Sequence, residues 1–125
     1  MALVLDVGGL IAVDRLDRKV GAILRVAQQG NIPVRTSATA VAQVWRGGSR
    51  QANLARVLTG IDVVALDLQT GRSVGEVLAL SRTADVVDGH IGFIVRSADT
   101  VLMSDTNDIK KILSARGVSA TLRRV

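Results

Sequence analysis

The chain of 125 residues has no cysteine, no tyrosine and only two aromatic side chains, Trp45 and Phe93. Without thiols it can form no disulfide, no thiolate metal site and no cysteine nucleophile, and its redox compartment stays open. With so few aromatics the core must be built from Val, Leu, Ile and Ala. For the same reason no aromatic platform for stacking nucleic-acid bases is visible. Long apolar runs are also missing, and none approaches the ~20 residues of a membrane-spanning helix. Met1 leads into a strand-like run without a basic leader, so a signal peptide is not expected and a cytoplasmic protein is the simplest inference.

Hydrophobic residues nonetheless make up 48% of the chain. At this length they predict a single domain over residues 1–125, burying roughly two-thirds of the unfolded surface. The net charge is +5, and all sixteen basic residues except Lys19, Lys110 and Lys111 are arginine. Arginine pairs bidentately with phosphate, so a basic shell around an acidic centre suits a polyanionic substrate. A solvated basic surface accounts for the charge equally well.

Strand-like and helix-like segments alternate along the chain. Strands are predicted over Leu3–Asp6, Pro33–Thr36, Ile61–Leu66, Thr100–Ser104 and Val118–Leu122. Helices are predicted over Gly8–Val13, Asp17–Gln29, Ser37–Arg46, Arg50–Leu58, Thr70–Leu80, Val86–Ser97 and Asn107–Ala115. There is no internal repeat, low-complexity tract or linker. Such alternation predicts an α/β protein with a mostly parallel sheet of four or five strands and helices on both faces. Ligands in these folds bind at the carboxyl ends of the strands.

Five of the eleven acidic residues stand at such ends or at helix starts. Asp6 closes the run Ala2-Leu3-Val4-Leu5. Asp85 and Asp88 precede an apolar helix, and Asp105 and Asp108 follow Val101-Leu102-Met103. Gathered carboxylates raise one another's pKa unless a cation neutralises them, and oxygen donors are what Mg²⁺ and Mn²⁺ prefer.

Taken in order, Leu5-Asp6 with Leu10-Ile11-Ala12, Asp85-Val86-Val87-Asp88-Gly89-His90, and Ser104-Asp105-Thr106-Asn107-Asp108-Ile109 resemble the PIN-domain ribonucleases. More narrowly they are similar to the VapC toxins of type II toxin–antitoxin pairs. The resemblance spans essentially the whole chain, although each motif is short. It implies a PIN-like three-layer α/β/α fold and Mg²⁺- or Mn²⁺-dependent endonucleolytic cleavage of RNA. It also implies a homodimer and a cognate antitoxin. Asp6, Asp88 and Asp105 match the family's catalytic, metal-holding acidic cluster, with Asp85 and Asp108 in support.

Three positions depart from the family pattern. Gln43 stands where a glutamate is usual, Val7-Gly8-Gly9 follows the first aspartate in place of a hydroxyl or amide residue, and Met103 replaces a threonine. Gln43 keeps an oxygen acceptor but loses the charge. That loss admits a catalytically weak or inactive member that acts by binding antitoxin or RNA.

Each candidate also has a plainer reading. Asp6 could form a turn with the backbone N–H groups of Gly8 or Gly9, Asp85 could cap a helix, and Asp105 with Asp108 could cap the next one. His90 is turned away from Asp88 by helical spacing. A lone tryptophan late in an apolar helix is ordinarily core, but Trp45 could instead anchor a partner. Arg46, Arg50 and Arg56 form a solvated face, or contact RNA phosphates or an antitoxin segment. Substrate binding is assigned to Gln43, Arg46 and Arg50. Asp14, Asp17, Asp62, Asp67 and Asp99 read as caps and turn residues. A phospho-receiver domain would need a lysine at a late strand end, and a haloacid-dehalogenase-like phosphatase a second aspartate two residues after Asp6; the chain has neither.

Overall fold

The computed structural model describes residues 1–105 and 107–125. Five strands, β1 (Leu3–Leu5), β2 (Val34–Ser37), β3 (Asp62–Val64), β4 (Thr100–Met103) and β5 (Thr121–Arg124), form one sheet in the order β3-β2-β1-β4-β5. Every pairing is parallel, with Leu3 opposite both Val34 and Thr100. Around the sheet lie α1 (Val7–Asp14), α2 (Arg18–Gln29), α3 (Ala38–Val44), α4 (Ala52–Thr59), α5 (Leu68–Ser81), α6 (Val86–Ile94) and α7 (Asn107–Arg116). A short 3-10 turn, Ser49–Gln51, leads into α4.

The two central strands are apolar without alternation because both faces are covered. Leu3, Val4, Leu5, Val101, Leu102 and Met103 are all buried, as expected for an interior parallel strand. The helices fall into two packed groups, α1 with α2, α3 and α4, and α5, α6 and α7 with one another. Glycines permit the tightest of these contacts. A Cβ at Gly89 would come within 2.7 Å of Leu78 on α5, and one at Gly92 would overlap Ile112 on α7. Thus α6 is held closely between its two neighbours.

Most element boundaries differ by one to three residues from the pattern-based expectation, and four of these shifts have a clear local reason. α6 stops at Ile94 rather than Ser97. Arg116 donates to the carbonyls of Gly92 and Val95 at 2.6 and 2.7 Å, and Asp99 turns the chain by accepting from the Arg96 N–H at 2.8 Å. α3 stops at Val44 because Trp45 turns extended. α5 starts two residues early, at Leu68, because Asp67 accepts from the Thr70 N–H. β5 is displaced to Thr121–Arg124 because Gly117, at φ +67°, ends α7 and residues 118–120 are spent returning to the sheet. Asp62, read as a cap or turn residue, opens the edge strand β3 within the span predicted as strand, Ile61–Leu66. Asp99 is more than a turn residue: it is buried, accepts from the Ala2 N–H at 2.7 Å, and lies 3.5 Å from Arg35.

Among the described residues no helix is long and apolar enough to cross a membrane.

Candidate active site

After β1 the chain builds outward to β2 and β3 on one side, then crosses to β4 on the other. The carboxyl ends of β1 and β4 therefore flank a topological switch point, where helices diverge and leave a crevice. Asp6 follows β1, and Ser104-Asp105 follows β4. The Asp6 N–H donates to the Leu102 carbonyl at 3.1 Å, tying the two ends together.

Asp6 caps α1, its carboxylate accepting from the Gly9 N–H at 2.9 Å. The turn reading of Asp6 is thus realised, but at a buried position facing the switch point. Burial is the main force pushing its pKa up to about 6. Backbone N–H groups of Gly9, Gly8 and Ser104 oppose that rise, and the charge of Asp105 adds to it. Gly8 is required here by close approach, since a Cβ would fall within 2.6 Å of the Ser104 backbone nitrogen. This packing explains why a bulkier hydroxyl or amide residue is missing after Asp6.

Asp85 caps α6 by accepting from the Asp88 N–H at 2.9 Å. Asp88 follows in the first helical turn, partly buried. Its pKa is likewise pushed up to about 6, first by desolvation and then by the charges of Asp85, Asp108, Asp6 and Asp105. All five aspartates singled out in the sequence therefore share one electrostatic neighbourhood. Asp105 is exposed and Asp108 partly buried at the start of α7. Thr106, within the Ser104–Ile109 motif, lies outside the described residues.

An all-carboxylate donor set in an anionic crevice matches a hard divalent cation in chemistry and in sign. Among the described residues no three His, Asp or Glu side chains are drawn tightly enough to ligate one ion as they stand.

The remaining candidates lie outside this cluster. Gln43 is exposed on α3, and Arg46 and Arg50 are exposed beyond its end. Trp45, expected in the core, is 39% exposed; it caps the end of α3 and turns out of the helix. His90 is fully buried and pairs through Nδ1 with the Ser37 hydroxyl at 2.6 Å. Desolvation lowers its pKa, so it is a neutral core histidine linking α6 to the start of α3. Nothing in the pattern around Ser37 signalled this contact, because 53 residues separate the pair. A separate groove of about 1030 Å³ between α2 and α4 is lined by none of the five aspartates and not by Trp45.

The fold that carries these features is PIN-like, a three-layer α/β/α arrangement. A chain in the crystal structure of VapBC2 from Rickettsia felis, bound to a DNA fragment from their promoter, matches it with a TM-score of 0.68. The match covers 100% of this chain and 99% of that one at 12% identity, a likeness of fold. No protein-family model and no curated protein matches the sequence.

Proposed function

We propose that this chain is a Mg²⁺- or Mn²⁺-dependent endoribonuclease and the toxin of a toxin–antitoxin pair. The observation that carries the proposal is the placement of five carboxylates about the switch point: Asp6 after β1, Asp105 after β4, Asp85 and Asp88 at the start of α6, and Asp108 at the start of α7. Asp6, Asp88 and Asp105 would hold the cation, with Asp85 and Asp108 behind them. When bound, the ion would acidify a water and polarise the scissile phosphate. The chain's own part is to gather the carboxylates, desolvate Asp6, and orient the RNA backbone through exposed arginines such as Arg46 and Arg50. Asp6 and Asp88 must be deprotonated to serve as ligands, so metal binding strengthens as pH rises through about 6.

The fold neighbour is a VapBC2 assembly, which supports an antitoxin as partner here. The groove between α2 and α4 offers such a segment an apolar floor, including Leu24, Val57 and Ile61, with Arg18, Arg25 and Arg56 beside it. Leu68, Leu80 and Val86 are among the exposed apolar side chains that a homodimer contact could cover.

The decisive experiment is an RNA cleavage assay on the free protein, titrated with Mg²⁺ and Mn²⁺. Cleavage should require the metal and be lost in Asp88→Asn. A folded wild type that binds metal but leaves every RNA tested intact would sink the nuclease reading. That outcome would favour the second reading, a PIN-fold protein acting by binding RNA or antitoxin. Exposed, uncharged Gln43 is the specific observation behind that alternative.

A further inference from the structure

Although no aromatic platform is visible in the sequence, we propose that Trp45 is a stacking platform for an unpaired base of the RNA, which fixes the substrate as single-stranded at a point beyond the acidic crevice. The inference rests on the RNA reading above.

The tryptophan is displayed by a built loop. Gln51 is 7% exposed, and its side chain spans the turn after α3. Oε1 accepts from the N–H groups of Arg46 and Gly47 at 2.7 and 2.9 Å. Nε2 donates to the Val44 carbonyl at 3.1 Å and to Asp14 at 3.3 Å. A buried side chain therefore holds the backbone on both sides of Trp45, and the indole is offered without the entropy cost of ordering a loose loop. Gly47 and Gly48 follow at φ +84° and +86°, so no side chain grows from either to cover the ring.

The surroundings favour nucleic acid over protein. The segment that carries Trp45, from Arg18 to Ile61, has no acidic residue, so its charge suits a phosphate backbone. Arg46 and Arg50, one and five residues after Trp45 in the chain, are both exposed. Arg46 folds back to donate to the carbonyls of Ala42 and Trp45 at 3.3 and 2.6 Å, which sets its guanidinium against the helix end. An exposed aromatic within a basic segment is the composition of a single-strand stacking site.

Geometry links the platform to the crevice. α3 starts at its cap Ser37, which touches His90 two residues beyond Asp88. It ends at the cap Trp45, eight residue steps after Ser37, a rise of about 12 Å at helical spacing. A strand leaving the crevice along α3 would pass exposed Gln43 before reaching the indole.

Trp45 is the only tryptophan and the chain has no tyrosine, so intrinsic fluorescence reports this site alone. The test titrates wild-type protein, in chelator to prevent cleavage, with a mixed-sequence single-stranded oligoribonucleotide, with the same strand annealed as a duplex, and with linear polyphosphate. The single strand should quench the indole, and the duplex and polyphosphate should not. By anisotropy of a labelled oligoribonucleotide, Trp45→Ala should bind about ten-fold more weakly and Trp45→Phe close to wild type, with circular dichroism confirming both folds. Binding of the oligoribonucleotide without quenching overturns the proposal. So does equal quenching by polyphosphate, unchanged affinity of folded Trp45→Ala, or a fluorescence response to a protein partner alone. Should Trp45→Ala fail to fold, the wild-type titration and Trp45→Phe still decide. Quenching without cleavage in Mg²⁺ keeps this inference and removes the nuclease, and cleavage without quenching does the reverse.

Discussion

Asp6 does two jobs with one carboxylate, capping α1 through the Gly9 N–H and facing the other aspartates across the switch point. Its folded pKa of about 6 stands above the ordinary 3.8, and so does that of Asp88. Both groups hold protons more tightly folded than unfolded, so the stability they contribute is full below 3.8 and lost as pH rises through about 6. Denaturant melts of chelated protein should show this fall over that window. Asp6→Asn keeps an oxygen for the Gly9 N–H and removes the buried charge. It should raise metal-free stability at neutral pH by on the order of 2 kcal/mol and flatten the slope. The same variant should lose most of the metal-induced rise in Tm, because only the folded state gathers the ligands; a full metal shift retained in Asp6→Asn, Asp88→Asn and Asp105→Asn alike would rule out this site. Gln43 tests the fourth wall. If α3 faces the cation, Gln43→Glu should tighten Mg²⁺ binding by roughly 1 kcal/mol in calorimetry, a modest gain because the position is solvated. Unchanged affinity would put Gln43 beyond the ion's reach.

Among the elements, α6 matters most, since it carries Asp85 and Asp88 between α5 and α7. Its glycines set the spacing. Gly92→Ala would force its methyl into Ile112, and Gly89→Ala into Leu78. Each should cost about 1–3 kcal/mol by overpacking, read from urea melts. Gly92→Ala should also weaken metal binding by pushing α7, and Asp108 with it, away from Asp88. Pairing Gly92→Ala with Ile112→Ala should cost less than the sum of the two, because the second change removes the atoms that the first one meets; simple additivity would show that the two sites do not touch. Most elements were legible in the sequence because caps and breakers are local. Asp17, Ser37 and Asp85 start their helices from the first residues that pattern reading would choose, and Gly30 follows the end of α2. The ends of α3 and α6 were not legible. They are decided by Gln51 and Arg116, side chains that arrive from later in the chain.

At the scale of the molecule, a basic protein holds an acidic crevice, and the proposed partners are tested through that contrast. An antitoxin segment seated in the α2–α4 groove that also presents an arginine to the carboxylates would compete with the cation. Millimolar Mg²⁺ should then lower antitoxin affinity; equal affinity with and without Mg²⁺ would restrict inhibition to blocking the approach of RNA. Sequence alone determined the alternation of elements, the buried character of β1 and β4, and the five aspartates, because hydrophobic runs, breakers and charges are written residue by residue. It also named Trp45 and His90 as ambiguous, and there it stopped. Which end of the sheet is the switch point follows from strand order, and strand order is set by contacts between residues far apart in the chain. Only the tertiary structure could bring Asp6, Asp88 and Asp105 into one field, bury His90 against Ser37, and turn Trp45 outward over a loop pinned by Gln51. Each of those outcomes depends on which surfaces meet, and burial is a property of the assembled layers rather than of any segment.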